Sequence, residues 1–214
     1  MISKRLKSLV KFVNCDDKLI DIGCDHALLD IYLISNGYLN KVIVSDIHEF
    51  ALQSGIENIK KYELEDKIDA RLGNGLEVIN INDDIDTVLI SGMGATTILK
   101  ILDNDYIKNI KKIIIQSNND HYLLRKSICN LGYKIDNEEY VFDNDKYYIN
   151  IVFGKGSCDY IEDDYKYGPI LKNNGKEYYK HLKNKYVDIL DGIPDNSVGR
   201  QDILDKIKEL DKLI

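Results

Sequence analysis

The first stretch whose residues could perform chemistry is KLIDIGCDHALLD at residues 18–30, in which acids lie on both sides of Gly23. An apolar, strand-like run precedes the glycine, and an apolar, helix-like run follows His26. A pyrophosphate site at such a turn requires the spacing GxGxxG, because the phosphates lie against bare backbone and a helix N-terminus. Here only the first glycine is present, and Asp25 would repel a pyrophosphate. The charge favours a ligand with an amino group and a sulfonium, which is S-adenosylmethionine; a turn in which Asp25 caps the helix fits this stretch equally well.

Polar or glycine-rich sequence also follows the next three strand-like runs. KVIVSD ends at Asp46, about 20 residues after the glycine turn, where a carboxylate can accept hydrogen bonds from both ribose hydroxyls. RLGNGLE places glycines around Asn74, so that the backbone can pass a planar ring and the amide can pair with an adenine edge. SGMGAT leaves room for a ligand at the centre of the sheet. Helix caps at Asp46 and Asn74 and core packing of Met93 are the alternative explanations.

Together these strand ends predict a cofactor cleft, because ligands of open α/β sheets bind outside the carboxyl ends of the strands. Each signal alone is weak, but each lies at the end of a successive strand. The predicted cofactor-binding residues are Asp21, Gly23, His26, Asp46, Ile47, Gly73, Asn74, Gly75, Ser91, Gly92 and Met93.

The elements that must position these residues alternate along the chain. Apolar runs rich in Ile and Val predict buried strands, and the segments between them have helical periodicity. This alternation predicts a parallel sheet with right-handed crossovers. After Gly132 the pattern changes to YKIDNEEYVF and KYYINIVF around DND, which predicts an antiparallel hairpin at the end of the sheet. Five parallel strands and a hairpin are the element order of class I S-adenosylmethionine-dependent methyltransferases, so we expect this Rossmann-like α/β fold.

Both ends of the chain are predicted to be helical. Apolar residues from Ile2 to Val13 have helical spacing, which predicts an amphipathic helix whose solvent side carries Lys4, Arg5, Lys7 and Lys11. Near the other end, two apolar stripes flank the breaker DGIPDNS at 191–197 and predict a pair of antiparallel helices. We therefore expect a methyltransferase domain at 1–156 and a coiled-coil-like helical extension at 157–214.

The composition excludes several classes of protein. With 214 residues, 44% hydrophobic and 30% charged, the chain has the make-up of a globular protein rather than a disordered one. We expect no membrane partner and a cytoplasmic location, because no run is long enough to span a bilayer and the first residues lack the features of a signal peptide. The four cysteines are far apart without a CxxC pair, which predicts reduced thiols and no metal site. A net charge of −7 argues mildly against a nucleic-acid partner, unless the cations collect on one face.

The motifs resemble those of a known family, the bacterial tRNA (adenine-22-N1)-methyltransferases. The resemblance covers nearly the whole chain through SKRL, LIDIGCDHALL, SDI, GNGLEVI, ISGMGA, IIIQSN, the hairpin and GPILKNN. The family pattern has DIGSDHAYLP, GDGLEVI, AGMGG and QPN at the corresponding places. This chain departs from that pattern at Cys24, Leu28, Asp30, Asn74, Ala95 and Ser117, and it has Phe50 and Ala51 where the family often has Gly-Pro. The presence of both GMG and DHA in one chain is fairly specific for this family, whereas DIG alone is not.

The resemblance implies S-adenosylmethionine as the cofactor and methyl transfer to N1 of an adenine in the D-loop region of tRNA. Adenine N1 already carries an in-plane lone pair, so the enzyme must align it with the methyl–sulfur bond and exclude water. An oxygen that accepts a hydrogen bond from N6–H would favour the attack and the later loss of a proton. We predict Asp25 and Asn118 as the catalytic residues; a helix cap near Asp120 is the alternative role for Asn118.

An acidic protein must hold tRNA on locally basic surfaces. The predicted RNA-binding residues are Lys4, Arg5 and Lys7 of the first helix and Lys176, Lys180 and Lys183 of the tail, with Tyr167, Tyr178, Tyr179 and Tyr186 interleaved for base stacking. A solvated lysine-rich face is the alternative. We expect a monomer with tRNA as its partner. The same fold with another RNA or a small molecule as substrate, and a non-catalytic RNA-binding module, stay open as other functions.

Overall fold

The computed structural model describes residues 2–194 and 196–214, so that Asp195 of the DGIPDNS breaker lies outside the described residues. Within these residues one sheet is formed by β1 (Leu19–Ile22), β2 (Val42–Asp46), β3 (Ile68–Leu72), β4 (Thr87–Met93), β5 (Lys112–Ser117), β6 (Tyr133–Asp143) and β7 (Lys146–Lys155). The strand order is β3-β2-β1-β4-β5-β7-β6. The first five strands are parallel, and β7 is antiparallel to both β5 and β6. The expected Rossmann-like sheet with an antiparallel hairpin is confirmed.

Helices cover both faces of the sheet. They are α1 (Lys4–Lys7), α2 (Leu28–Ser35), α3 (Glu49–Lys61), α4 (Ala95–Leu102), α5 (His121–Asn130), α6 (Glu162–Tyr167), α7 (Leu171–Asn174), α8 (Lys176–Asp191) and α9 (Arg200–Asp211). Alternate strand residues join different cores: Ile113 and Ile115 pack with α4 and α5, whereas Ile114 packs with α2 and α3. Strands buried on both faces explain the nearly continuous apolar runs in the sequence.

The strand order reverses between β1 and β4, which lie side by side although two strands separate them in the chain. The connection from β1 leads towards β2 and β3, and the connection from β4 leads towards β5. In open α/β sheets a crevice opens at such a reversal, outside the carboxyl ends of the strands. The four sequence motifs that follow β1, β2, β3 and β4 all lie at the carboxyl ends of these strands.

The expectation of a helix over the first dozen residues is wrong. Helix α1 covers only Lys4–Lys7, with Ser3 accepting a hydrogen bond from the Leu6 amide, and a separate 3-10 turn follows at Val10–Phe12. Leu9 and Val13 are buried in the core below α2 and α3. The chain bends here because burying these apolar side chains outweighs the continuation of a short helix.

The tail folds as an antiparallel pair of helices, α8 and α9, preceded by the short helices α6 and α7. The antiparallel direction follows from two contacts, since Lys183 pairs with Asp211 and Arg200 donates to the Leu190 carbonyl. Tyr179 and Leu210 are each 2% exposed and belong to the same apolar core as Phe153 of β7. The division of the chain at residue 156 stays a prediction.

A buried ion pair joins the tail to the sheet. Arg125 of α5 donates from Nε to Oε1 of Glu138 at 2.6 Å, and the two side chains are 2% and 0% exposed. Glu138 Oε2 accepts the amides of Ile170 and Leu171, while Arg125 Nη1 donates to the Tyr165 carbonyl. The charged side chains of Arg125 on α5 and Glu138 on β6 thereby provide hydrogen-bond partners for backbone groups at the start of the tail.

Two kinds of feature are absent from the described residues. No helix there is long and apolar enough to cross a membrane. In the same residues no group of three or more His, Cys, Asp or Glu side chains could hold a metal ion.

Candidate functional site

A cleft of about 570 Å³ opens at the carboxyl ends of β1 to β4. A volume of this size is typical of small-molecule and cofactor sites. All the predicted cofactor-binding residues line it: Asp21, Gly23, His26, Asp46, Ile47, Gly73, Asn74, Gly75, Ser91, Gly92 and Met93. Asp25 lines it as well, whereas Asn118 does not. The structure therefore brings together the residues that the strand ends suggested, and their individual roles stay predictions.

The loop after β1 is held in an unusual backbone conformation. Gly23, Asp25 and Ala27 have φ angles of +78°, +51° and +53°. For Asp25 and Ala27 this left-handed region is strained, and such strain is concentrated at functional sites. Gly55 of α3 allows the loop to lie close, because a Cβ there would be 3.1 Å from the Asp25 carbonyl oxygen. Gly55 is not among the predicted site residues, although a glycine within a helical pattern is a signal of close backbone approach.

Asp46 connects β2 to this loop. Its carboxylate, in a residue that is 8% exposed, accepts the amide of His48 at 2.8 Å and the amide of Asp25 at 3.4 Å. Helix α3 begins at Glu49 and has no side-chain cap at His48, so Asp46 does not cap it. The carboxylate thus lies in the cleft wall, as a ribose-binding acid must.

Asn74 begins a 3-10 turn but does not cap it with its side chain. The amide donates from Nδ2 to Glu77 Oε1 at 2.9 Å. Gly75, with a φ of +56°, is required here, because a Cβ would approach Ile101 to 3.0 Å. The turn therefore lies flat against α4, and Asn74 is presented to the cleft.

Two buried acids lie beneath the loop. Asp21 and Asp30 are 3% and 0% exposed, and Oδ1 of Asp21 and both carboxylate oxygens of Asp30 have no hydrogen-bond partner in the described part of the protein. Burial, followed by the charge of Asp30, raises the pKa of Asp21 well above its usual range, and burial raises the pKa of Asp30 to about 7. Such a pair holds a proton between its carboxyls at neutral pH. Asp21 lines the cleft, and its unpaired Oδ1 is available to accept a hydrogen bond from a ligand.

Arg5 is not on the solvent side of its helix, which corrects the sequence-based expectation. It lines the cleft, donates from Nη1 to Gln116 Oε1 at 2.9 Å, and its guanidinium lies 5.4 Å from the ring centre of Tyr148. Lys4 and Lys7 of the same helix are exposed as expected. The difference arises because α1 is one turn long and is fixed by the hairpin: the Arg5 amide donates to Asp143 at 2.9 Å.

Asn118 lies at the end of β5, beside the cleft wall. Its Nδ2 donates to the Gly92 carbonyl at 2.5 Å, and its backbone amide donates to the Met93 carbonyl at 2.9 Å. The cap of α5 is Asp120, which accepts the Leu123 amide. The alternative role of Asn118 as a helix cap is therefore wrong, and its catalytic role stays a prediction.

The tail cations differ in their surroundings. Lys176 and Lys180 are exposed and have no acidic partner among the described residues, whereas Lys183 is half-buried and pairs with Asp211. Of the tyrosines predicted to stack on RNA bases, Tyr179 is buried in the core, whereas Tyr167, Tyr178 and Tyr186 are partly buried and pack against it. Tyr178, for example, lies 6.3 Å from Tyr140 and 5.7 Å from Tyr147 of the hairpin, measured between ring centres.

Comparison with known proteins gives a consistent result. The family described as "Methyltransferase domain" matches residues 2–151. The chain is 29% identical over 160 residues to the tRNA (adenine(22)-N(1))-methyltransferase of Bacillus subtilis, covering 74% of this chain and 67% of that protein.

Solved structures are similar over the whole length. One is M. capricolum TrmK in complex with the cofactor product S-adenosyl-homocysteine, with 32% identity, a TM-score of 0.86 and coverage of 99% of this chain and 97% of that one. Another is a protein of the NADB-Rossmann superfamily from Streptococcus agalactiae, with 32% identity, a TM-score of 0.90 and coverage of 100% and 97%. The similarity therefore includes the helical tail as well as the sheet.

Proposed function

The chain belongs to the methyltransferase family of which M. capricolum TrmK is a member, and on this premise we propose that it methylates N1 of adenine 22 in tRNA with S-adenosylmethionine as the donor. The observation that carries the proposal is the cleft at the strand ends. It combines an acidic loop after β1, a carboxylate at Asp46 and an amide at Asn74 within one cavity of about 570 Å³. These groups match the cationic amino-acid part, the ribose and the adenine of the donor, in the order of the strands.

The cofactor supplies an electrophilic methyl group on a positively charged sulfur. The protein must then hold adenine N1 in line with that methyl group in a site from which water is excluded. The glycines after β4 leave room for the base, because Gly92 and Gly94 present only backbone at the centre of the sheet edge.

We propose that Asn118 recognises the Watson–Crick edge of the adenine. Since its Nδ2 is fixed on the Gly92 carbonyl, its Oδ1 is the atom available to accept a hydrogen bond from N6–H. This bond becomes stronger as N1 alkylation spreads positive charge to N6. Asp25 lies at the exposed mouth of the cleft, where its negative charge favours a cationic product. Its carboxylate can also accept the proton that N6 loses.

Binding of tRNA requires contacts outside the cleft. N1 lies on the Watson–Crick edge, so the target adenine must be unpaired or extruded before it can react. We propose that Lys4 and Lys7 on one side, and Lys176 and Lys180 of α8 on the other, contact phosphates. Their exposure and the lack of acidic partners for the α8 pair in the described residues support this assignment.

We further propose that the protein acts as a monomer in the cytoplasm, where its tRNA substrate is found. The four cysteines, all within the described residues, are free thiols, which is consistent with a reducing compartment. Light scattering of the purified protein at micromolar concentration would test the monomer, and a dimer mass would refute it.

The proposed reaction is tested by incubating the protein with S-adenosylmethionine and unmodified tRNA, followed by mass spectrometry of the nucleosides. We expect 1-methyladenosine with wild-type tRNA and none with a transcript in which adenine 22 is replaced by guanine. Formation of another methylated nucleoside would show a different target. Thermal stabilisation by NAD but not by S-adenosylmethionine would contradict the cofactor assignment itself.

A further inference from the structure

A second cavity, of about 220 Å³, lies between α5 and the helical tail. We call it the tail cavity; its walls include His121 and Arg125 of α5, Tyr178 and Tyr186 of α8, and Lys206 of α9. Among the described residues, none lines both the tail cavity and the cofactor cleft. Resting on the proposed function, we propose that the tail cavity binds a nucleobase of the tRNA substrate, other than the adenine that is methylated.

The size and the walls of the tail cavity suit a single flat ring system. Its volume is below the roughly 300–1,000 Å³ of sites that hold drug-sized ligands, so it can enclose a base but not a whole nucleotide. Tyr178, Tyr179 and Tyr186 provide aromatic surface in its wall, and the ring centres of Tyr178 and Tyr179 are 5.2 Å apart. Bases of single-stranded RNA stack on such rings whatever their sequence, because every base has a π-face.

Two polar atoms of residues in the cavity wall have no partner within the protein. His121 Nε2 and Arg125 Nη2 are buried and form no hydrogen bond within residues 2–194 and 196–214. The other nitrogens of Arg125, whose side chain is 2% exposed, are fixed by Glu138 and by the Tyr165 carbonyl. Buried polar groups are normally hydrogen-bonded, and residues four apart lie on one face of a helix. The two atoms are therefore placed to bind the same ligand.

The two atoms differ in what they can bind. Burial, followed by the charge of Arg125, lowers the pKa of His121 to about 4, so the imidazole is neutral at physiological pH. The bond between this ring and the backbone of Ser117 raises the pKa, which identifies the Ser117 carbonyl as the acceptor and Nδ1 as the donor. Nε2 is therefore an acceptor, whereas Nη2 of Arg125 is a donor. An unpaired nucleobase has the complementary arrangement, a donor beside an acceptor, on its Watson–Crick edge.

Positive charge at the mouth of the tail cavity favours a base that belongs to RNA. Lys206 is exposed, lies 5.5 Å from the centre of the Tyr186 ring, and has no acidic partner in the part of the chain that the structure describes. The charge of Lys166, which also lines the cavity, is offset by Glu209. A base whose phosphate reaches Lys206 uses both the aromatic wall and the cation, whereas a free base uses only the wall.

The tail cavity lies next to the proposed position of the target adenine. Ile149, which lines the cavity, pairs with Ser117 at the carboxyl end of β5, and His121 follows Asn118 by three residues. A base bound in the tail cavity therefore holds the RNA beside Asn118, to which the target adenine is proposed to bind. Because the cavity shares no described residue with the cofactor cleft, the base that it holds is not the methyl acceptor.

Removal of one ring from the cavity wall tests the proposal by tRNA binding without the methyl donor. We expect Tyr186→Leu to weaken tRNA binding by about 10-fold, the effect of losing one base–aromatic stacking contact. Tyr186→Phe keeps the ring and should recover most of this affinity. Tyr62→Leu makes the same change at an exposed tyrosine outside both cavities and should bind tRNA as the wild type does. Calorimetry should give an unchanged affinity for S-adenosylmethionine in all three variants.

A second measurement uses the unchanged protein. Ultraviolet irradiation of its complex with tRNA joins bases to the side chains that they contact, and mass spectrometry of the digest identifies the peptides that carry a nucleotide. We expect such peptides from α5 and α8, with the nucleotide on His121, Tyr178 or Tyr186.

Unchanged tRNA affinity of Tyr186→Leu, or an equal loss in Tyr186→Leu and Tyr62→Leu, would overturn the assignment and leave the proposed reaction intact. Cross-linked peptides that come only from the cofactor cleft would do the same, even where Tyr186→Leu does not fold. Weaker binding of adenosine monophosphate to Tyr186→Leu together with unchanged tRNA binding would replace the RNA base by a free nucleotide and so overturn the proposal. Failure of the unchanged protein to bind tRNA at all would overturn the proposed function together with this inference.

Discussion

Asn118 is joined to Gly92 by a hydrogen bond of 2.5 Å from its side-chain amide nitrogen to the glycine carbonyl. The bond links the end of β5 to the end of β4. As a result, the two polar atoms of the Asn118 amide differ in their surroundings. The nitrogen is bound to the protein backbone, and the oxygen is the atom that is left to accept a further hydrogen bond.

We expect Asn118→Ala to slow methyl transfer by about 10- to 100-fold, because the hydrogen bond to N6–H is worth most when the base carries positive charge. Single-turnover methylation of tRNA at saturating protein measures this step directly. The affinity for S-adenosylmethionine should be unchanged, since Asn118 does not line the cleft. An unchanged single-turnover rate together with unchanged tRNA binding would remove Asn118 from the active site.

The buried pair of Arg125 and Glu138 predicts how the tail is attached. Arg125→Met leaves the Glu138 carboxylate buried without its partner, which costs about 3–5 kcal/mol. The double variant Arg125→Met with Glu138→Leu should be more stable than Arg125→Met alone, because no unpaired charge is left. Urea unfolding of the three proteins measures this order. Equal stability of the single and double variants would show that the pair does not hold the tail electrostatically.

The surroundings of the tail lysines predict unequal contributions to RNA binding. Replacing both Lys176 and Lys180 by Gln should weaken tRNA binding and lower the slope of log affinity against log salt by roughly 2, about one for each phosphate that a lysine no longer neutralises. Lys183→Gln should have a smaller effect, because Asp211 already offsets its charge. Filter binding at four salt concentrations gives the slopes. Identical slopes for wild type and the double variant would place the RNA elsewhere.

The parts of the site that could be predicted from sequence are those whose place depends on their position next to a strand in the chain. Asp46 is the last residue of β2 and Asn74 comes two residues after β3, and parallel strands bring their carboxyl ends to one edge. Once the strands were recognised, the cleft followed without any knowledge of distant contacts.

Arg5 could not be placed in this way. Its orientation depends on Gln116 and Tyr148, which are more than a hundred residues away in the chain. The same limit applies to Tyr178, whose partly buried ring packs against Tyr140 of the hairpin. In both cases contacts with distant residues orient the side chain, and the role in RNA binding stays a prediction.

Asp30 predicts how stability changes with pH. An aspartate has an ordinary pKa of 3.8, and burial raises the pKa of Asp30 in the folded protein to about 7. The folded state therefore holds the proton more strongly than the unfolded chain. The contribution of the protonated Asp30 carboxyl to the free energy of unfolding is complete below about pH 4 and is lost as the pH rises through 7. Asp21, whose pKa is also raised by burial, acts in the same direction. Among the other charged groups near the pair, Asp46 raises the pKa of Asp21 and Arg5 lowers it, whereas burial raises the pKa of the Cys24 thiol and keeps it neutral.

We expect Asp30→Asn to remove most of this dependence, because the amide donates a hydrogen bond to Asp21 at every pH. Between pH 5 and 8.5 the melting temperature of the wild type should fall relative to the variant by several degrees, which corresponds to about 2–3 kcal/mol, since about two pH units separate pH 5 from the pKa of the folded state. The exposed Asp66, changed to Asn, serves as the control and should follow the wild type. Parallel curves for wild type and Asp30→Asn across this range would mean that the two buried carboxyls do not share a proton.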